Sequence, residues 1–281
     1  MRIGILHPGE MGISVAVSAI NSGHEVYWAS DGRGDKTRAR AEKHGLKDAS
    51  TLANLCGTTS TILSVCPPHA AEEVARSVIG TGFKGLYLDA NAISPQRSKT
   101  IDKLMRSAGI DFVDGGIIGG PAWTRGETWL YLSGKRADEV AACFKNGPLE
   151  TKVIGEEIGK ASALKMCYAA YTKGTSALLS AVLAAAESYH VRMELGQHWE
   201  MDETGFTEQT ERRVRRVTAK AWRFAGEMEE IAATFSAAGL PSGFHESAAE
   251  IYRRMAGFKD SPTLPELGEV LASLQKQRPA G

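Results

Sequence analysis

The chain has no surplus of charge of either sign: its 281 residues include 33 Lys and Arg against 33 Asp and Glu, a formal net charge of zero. Without a basic excess there is no electrostatic footprint for a nucleic acid or an anionic membrane surface. Cysteine is scarce. Cys56, Cys66, Cys143 and Cys167 are scattered in apolar contexts, with neither metal-ligand spacing nor the density of a disulfide scaffold, and read as buried free thiols. The longest apolar stretch carries Lys165 and Lys173, which excludes it as a membrane span. A charged residue at position 2 leads straight into a strand-like run rather than an apolar leader, so no signal peptide and a cytoplasmic location are expected. What is present is the composition of an ordinary globular protein long enough for two cored domains.

The most informative stretch is the first. Ile3 to Leu6 is strand-like, His7-Pro8-Gly9 is a tight turn, and Glu10-Met11-Gly12 opens a helix-like run of small and apolar residues. Strand, glycine turn and helix aim backbone N–H groups and a helix N-terminus at a phosphate. Gly9 lets the backbone approach a pyrophosphate and Gly12 lets the helix sit close on the strand. The dinucleotide fingerprint G-x-G-x-x-G has His7 in place of its first glycine. A second strand, Val26 to Ala29, follows within about thirty residues, as the fingerprint requires. Its end selects the cofactor: Asp31 argues for NAD, whereas Ser30 with Arg33, Lys36 and Arg38 argues for NADP. The balance favours NADP with Arg33 as the 2′-phosphate clamp, NAD remaining possible; solvated loop charges would account equally well for Lys36 and Arg38.

The alternation continues. Thr61 to Val65 reads as a buried strand ending in Cys66-Pro67-Pro68, a rigid loop on the rim where ligands bind in parallel sheets. Leu86 to Asp89 is followed by Ala90-Asn91-Ala92-Ile93-Ser94-Pro95, and Phe112 to Asp114 by Gly115-Gly116-Ile117-Ile118-Gly119-Gly120. Thr128 to Leu132 alternates as a strand. This predicts an α/β domain, a doubly wound and mostly parallel Rossmann sheet, over residues 1–158. Residues 159–281 then read as all-α. Gly159 to about His190 is one long stretch rich in small residues, fit for burial between partners. Residues 205–238 form a second helix stopped by Gly239-Leu240-Pro241. Further helices are expected from Gly243 to Met255 and Pro265 to Leu274. The Arg212-Arg213-Val214-Arg215-Arg216 run reads as a solvated helix face.

Taken in order, the Asp89–Pro95 loop, the Asp114…Gly119-Gly120 loop and the Gly159…Lys165 helix start resemble the β-hydroxyacid dehydrogenase superfamily, which includes 6-phosphogluconate and 3-hydroxyisobutyrate dehydrogenases and the imine reductases. The helical half is similar to a divergent branch of the 6-phosphogluconate dehydrogenase C-terminal domain. The resemblance implies that the first loop and the paired glycines cradle a small-molecule substrate beside the nicotinamide. It also implies that Lys165 is the catalytic acid/base and that the helical domains pair into a homodimer. The chemistry agrees, because hydride transfer at a carbinol leaves a proton to be moved. A lysine does this when burial and a nearby cationic ring lower its pKa. Tyr168 shares the helix face of Lys165 and is placed to position substrate or relay a proton; the alternative for Lys165 is a snorkelling surface side chain.

Three positions depart from the family pattern. His7 replaces the first glycine, Ile118 the serine before the paired glycines, and Ala169 the asparagine four residues after the lysine. Asn91 remains as a polar contact to cofactor or substrate. Trp123 and Arg125 follow the glycines, Arg125 being either a replacement carboxylate anchor or a residue of an exposed hairpin. His245 opens a helix of the second half and is a candidate to complete a pocket, possible across a dimer, against the alternative of a surface or capping histidine. The reading is thus an NADP-preferring oxidoreductase acting on a small hydroxy compound, with an imine or enamine reductase or a non-catalytic NADP-binding sensor as alternatives.

Overall fold

The computed structural model describes residues 1–275; residues 276–281, the end of the expected helical domain, lie outside the described residues. Among the described residues one sheet is formed by β1 (Arg2–Ile5), β2 (Glu25–Trp28), β3 (Lys47–Asp48), β4 (Thr61–Ser64), β5 (Leu86–Asp89), β6 (Asp111–Ile118), β7 (Trp129–Ser133) and β8 (Glu150–Val153). Their order is β3-β2-β1-β4-β5-β6-β7-β8. Every neighbouring pair is parallel except β6 and β7, which form an antiparallel hairpin with Asp114 opposite Ser133 and Ile118 opposite Trp129. The intervening helices are α1 (Glu10–Asn21), α2 (Asp35–Lys43), α3 (Leu52–Thr58), α4 (Ala71–Gly80), α5 (Pro95–Ser107) and α6 (Ala137–Ala142).

The period-two alternation of the strands divides the core into two layers. Ile3, Ile5, Leu63, Leu88, Val113 and Leu130 face α1 and α6, where Ile13, Val15, Ala16 and Val140 meet them. Ile62, Tyr87 and Phe112 face α3, α4 and α5, packing with Leu55, Ala75, Val78, Ile101 and Met105. Helices on both faces of a parallel sheet are the doubly wound arrangement expected from the sequence. The strand order reverses between β1 and β4, so the loops leaving these two strands flank the crevice where such sheets bind ligands.

Four features differ from the sequence reading. β6 does not end at Asp114 but runs through Gly115 and Gly116 to Ile118. The glycines belong to the strand because other groups press on it: a Cβ on Gly115 would lie 2.9 Å from the Asp89 carbonyl oxygen, and one on Gly116 would lie 2.6 Å from that of Ala161. The edge strands β3 and β8 went unread because Lys47-Asp48 and Glu150–Val153 carry no buried alternation. The helix at Arg192–Asp202 went unread because none of its residues is buried, so no apolar periodicity marks it.

The chain divides into two compact units, Met1–Met166 and Cys167–Gly281. Beyond β8 the described residues are helical: α7 (Lys160–Ser188), α8 (Arg192–Asp202), α9 (Phe206–Ala237), α10 (Gly243–Arg254) and α11 (Leu267–Gln275). Gly239, at φ 75°, follows α9 as the left-handed residue that ends the helix. In the second unit Phe224 of α9 meets Tyr252 of α10 edge-on at 5.4 Å, and the Tyr252 hydroxyl donates to the Lys173 carbonyl at 2.8 Å. Among the described residues no helix is long and apolar enough to cross a membrane.

Candidate active site

The turn after β1 is shaped by its glycines in two different ways. A Cβ on Gly12 would stand 2.1 Å from the His7 carbonyl oxygen, so α1 can lie against the turn only with glycine there. Gly9 meets nothing within 4 Å, so its missing side chain leaves open space beside the helix N-terminus. No side chain caps that N-terminus, and its first N–H groups remain available to an anion. Arg40 of α2 steadies the turn by donating to the Pro8 carbonyl at 3.2 Å.

Beside the turn is a cavity of about 180 Å³ lined by Leu6, His7, Ala29, Asp31, Arg33 and Val74. His7 Nδ1 and Arg33 Nε are both buried without a hydrogen-bond partner. Burial, with the Arg33 guanidinium beside it, pushes the His7 imidazole down to about 4, so it is neutral at physiological pH. Arg38 braces the loop that carries Arg33, donating to the Ser30 carbonyl at 2.7 Å and the Arg33 carbonyl at 3.0 Å. That bracing is the physical task of Arg38, which the sequence offered as a possible phosphate ligand. Two unsatisfied polar groups beside an open helix N-terminus suit this place to a polar, anionic ligand group.

The loops after β4 and β5 are tied together by Asn91. Its Oδ1 accepts from the Cys66 backbone N–H, its Nδ2 donates to Ser64 Oγ at 3.1 Å, and its own N–H donates to Asp89 Oδ1 at 3.0 Å. The Asn91 side chain is buried and holds the Cys66-Pro67-Pro68 loop in place. Burial pushes the Cys66 thiol up to about 12, which removes it as a nucleophile.

A fully buried carboxylate organises the far side. Asp114 on β6 accepts from the hydroxyls of Ser98, Ser133 and Ser162 at 2.5–2.9 Å and from the backbone N–H groups of Gly159 and Ser162 at 3.0 and 3.1 Å. Ser133 in turn accepts from the Ala161 N–H at 3.2 Å. The orphan donors at the start of α7 are thereby satisfied by the sheet. This pins the helix turn that carries Lys165, whose Cβ lies only 2.9 Å from where a Gly116 Cβ would sit. Lys165 is half-buried on that face of β6.

The remaining residues are distributed as follows. Ile118 ends β6, and Gly119 takes φ 125° where a Cβ would strike the Glu127 carbonyl. Gly120 accepts from the Thr128 hydroxyl at 2.8 Å. Trp123 is occupied elsewhere, stacked on His44 at 5.3 Å. Arg125 takes the exposed-hairpin alternative: 64% of its side chain is exposed, and it reaches the Gly147 carbonyl at 3.2 Å and Glu150 at 3.8 Å. Tyr168 is exposed on α7. His245 belongs to the second unit and is neither surface nor cap: it is buried against Phe235 and Phe244, 4.2 and 5.2 Å between centroids. Burial lowers its pKa.

A serine stripe running along α1 to its C-cap escaped the sequence reading. Ser14 accepts from the Ala122 N–H at 2.8 Å, Ser18 from Leu149 at 3.2 Å and Ser22 from Asn146 at 3.0 Å. The first bond ties the loop after the paired glycines to α1, and the other two tie the segment between α6 and β8 to the same side of it. The signal was there: Ser14 and Ser18 at four-residue spacing on an otherwise apolar helix, with Ser22 at its C-cap.

Residues 2–146 match the family described as the NAD binding domain of 6-phosphogluconate dehydrogenase. The chain belongs to this family. Its doubly wound unit is therefore a nicotinamide-dinucleotide-binding domain. Residues 186–255 match a family described as a domain of unknown function. The chain is 33% identical over 196 residues to an uncharacterised 28.5 kDa protein of Methanothermus fervidus, covering 69% of this chain and 74% of that protein. A solved conserved protein of unknown function, with structural similarity to 3-hydroxyacid dehydrogenases, is 27% identical with a TM-score of 0.68, covering 92% and 97% of the two chains. A 3-hydroxyisobutyrate dehydrogenase of Salmonella typhimurium is 16% identical with a TM-score of 0.71 over 97% and 99% of the chains. At that identity the likeness is one of fold. The expected 6-phosphogluconate dehydrogenase-like branch and the Rossmann-plus-helical architecture are thus both found.

Proposed function

We propose that this chain is an NADP-preferring oxidoreductase that interconverts a small, β-hydroxyacid-like hydroxy compound and its carbonyl, with Lys165 as general acid/base. Residues 1–158 supply the cofactor site, and the substrate and pairing role falls to the helical residues from 159 on. The observation that carries the reading is the setting of Lys165: a half-buried lysine on a helix turn pinned by the fully buried Asp114, in the same unit as an uncapped glycine turn.

The bound nicotinamide supplies hydride chemistry. The chain's own residues hold the dinucleotide and move the proton. His7, Pro8, Gly9, Glu10, Met11 and Gly12 present backbone to the pyrophosphate, and Ser30 and Arg33 meet the 2′-phosphate. The unsatisfied Arg33 Nε supports that assignment, since a guanidinium suits a dianionic phosphate. Cys66, Pro67 and Pro68 close the crevice, with Asn91 as the positioning group that fixes them. Lys165 takes the proton from the substrate hydroxyl in oxidation and returns it to the carbonyl oxygen in reduction. Within the first unit the Ile118-Gly119-Gly120 segment shapes the substrate's surroundings. A homodimer formed through the helical unit is supported by the exposed apolar stripe of Tyr168, Tyr171 and Leu178 on α7.

The test is turnover of NADP(H) with a panel of small hydroxyacids, ketoacids and cyclic imines. Lys165→Met should lower kcat roughly 10²–10⁴-fold on the hydroxyacid found, with NADPH affinity unchanged. Near-wild-type turnover by Lys165→Met overturns the assignment, and turnover confined to cyclic imines turns the reading to an imine reductase.

A further inference from the structure

The arginine run of α9 is not uniform. Arg212 pairs with Glu208, and Arg215 reaches Glu266 at 3.1 Å and the Pro265 carbonyl at 2.7 Å. Arg213 and Arg216 make neither an ion pair nor a hydrogen bond among the described residues, and both line a cavity of about 380 Å³ within the helical unit. The other walls are Thr172 and Ser176 of α7, Val217 and Phe224 of α9 and Tyr252 of α10.

Charge at this cavity is deliberate in one respect. Lys173 also lines it, and its Nζ is 2.7 Å from Glu227 Oε2, the two side chains being 13% and 12% exposed. The ammonium also lies 4.8 Å from the Phe224 ring centroid. Glu227 pairs with Lys173, and neither guanidinium forms an ion pair among the described residues. Two like charges three residues apart on one helix face repel each other unless an anion comes between them. Guanidinium forks match the paired oxygens of phosphate, and the Lys173 ammonium has donors beyond the one given to Glu227. Val217 and the Phe224 ring add apolar wall for an organic body, and the volume is that of a small-molecule site.

We propose that the helical unit carries its own binding site for a phosphate-bearing small molecule, held by Arg213, Arg216 and Lys173. The site lies wholly within the second unit and stands independently of the assignment of Lys165.

The test is titration of inorganic phosphate into the full chain, followed by calorimetry, with malonate as a carboxylate comparison. Saturable binding is expected, weakened at least about tenfold in the double variant Arg213→Gln/Arg216→Gln. Both positions are exposed, so the melting temperature should not move. Arg212→Gln should bind phosphate as the parent does, and the titration is repeated in Arg33→Ala to separate this site from the cofactor cavity. The proposal is overturned by no saturable binding, by binding that survives the double variant, or by loss of binding in Arg33→Ala, which would place the phosphate in the cofactor cavity. Malonate binding as tight as phosphate overturns the choice of ligand.

Discussion

Two helices begin against the same sheet, and their N-termini are finished in opposite ways. At α1 no side chain caps the first turn, Gly9 faces open space, and two neighbouring polar atoms are unsatisfied. At α7 the sheet provides its own anion, and Asp114 takes up the Gly159 and Ser162 donors. The positive end of a helix is thus left vacant where a ligand's anion is wanted and filled where a side chain must be held still. In the proposed function the first end recruits the cofactor and the second orients Lys165.

The contrast is most severely tested at Asp114. Asp114→Ala leaves three hydroxyls and two helix N–H groups buried without their acceptor, and should cost about 3–5 kcal/mol of stability. Denaturant unfolding measures it, and a loss under about 1 kcal/mol would mean that water replaces the carboxylate. The His7 imidazole gives a smaller effect with a defined sign. Its folded value is about 4 against 6.5 unfolded, so the unfolded chain binds more protons between these values. Stability should be full above pH 6.5 and decline as pH falls through about 4, by at most about 3 kcal/mol. In His7→Gln that window should flatten, which melting curves between pH 4 and 7 would report. Gly12→Ala should cost about 1–3 kcal/mol because its Cβ must displace the His7 carbonyl, and thermal denaturation without cofactor measures this.

The two ends also differ in how legible they were. The glycine turn is local, and its strand, turn and helix follow one another within a dozen residues, so the fold and the cofactor class were readable from the sequence. The Asp114 cluster joins residues 16, 19, 45 and 48 positions away, and no periodicity predicts which buried carboxylate meets which helix. The same distance dependence explains the individual differences. Asn91 follows β5 directly, but its bonds to Ser64 and Cys66 depend on two strands lying side by side. Arg125 and Trp123 were close in sequence to the paired glycines, yet the hairpin hands them to Glu150 and His44. The burial of His245 depends on Phe235 of the preceding helix, and a helix-start position in the sequence does not reveal it.

The smallest effect on the free protein is the most direct test of the central claim that the vacant end of α1 receives the dinucleotide. Gly9→Ala meets nothing within 4 Å, so its melting temperature without cofactor should stay within about 2 °C of the parent. Fluorescence titration with NADPH should nevertheless show affinity lowered at least about tenfold, because the new methyl fills space meant for the pyrophosphate. Parallel titrations of Arg33→Ala should weaken NADPH more than NADH. An unchanged NADPH affinity in Gly9→Ala, with the protein folded, would contradict the account.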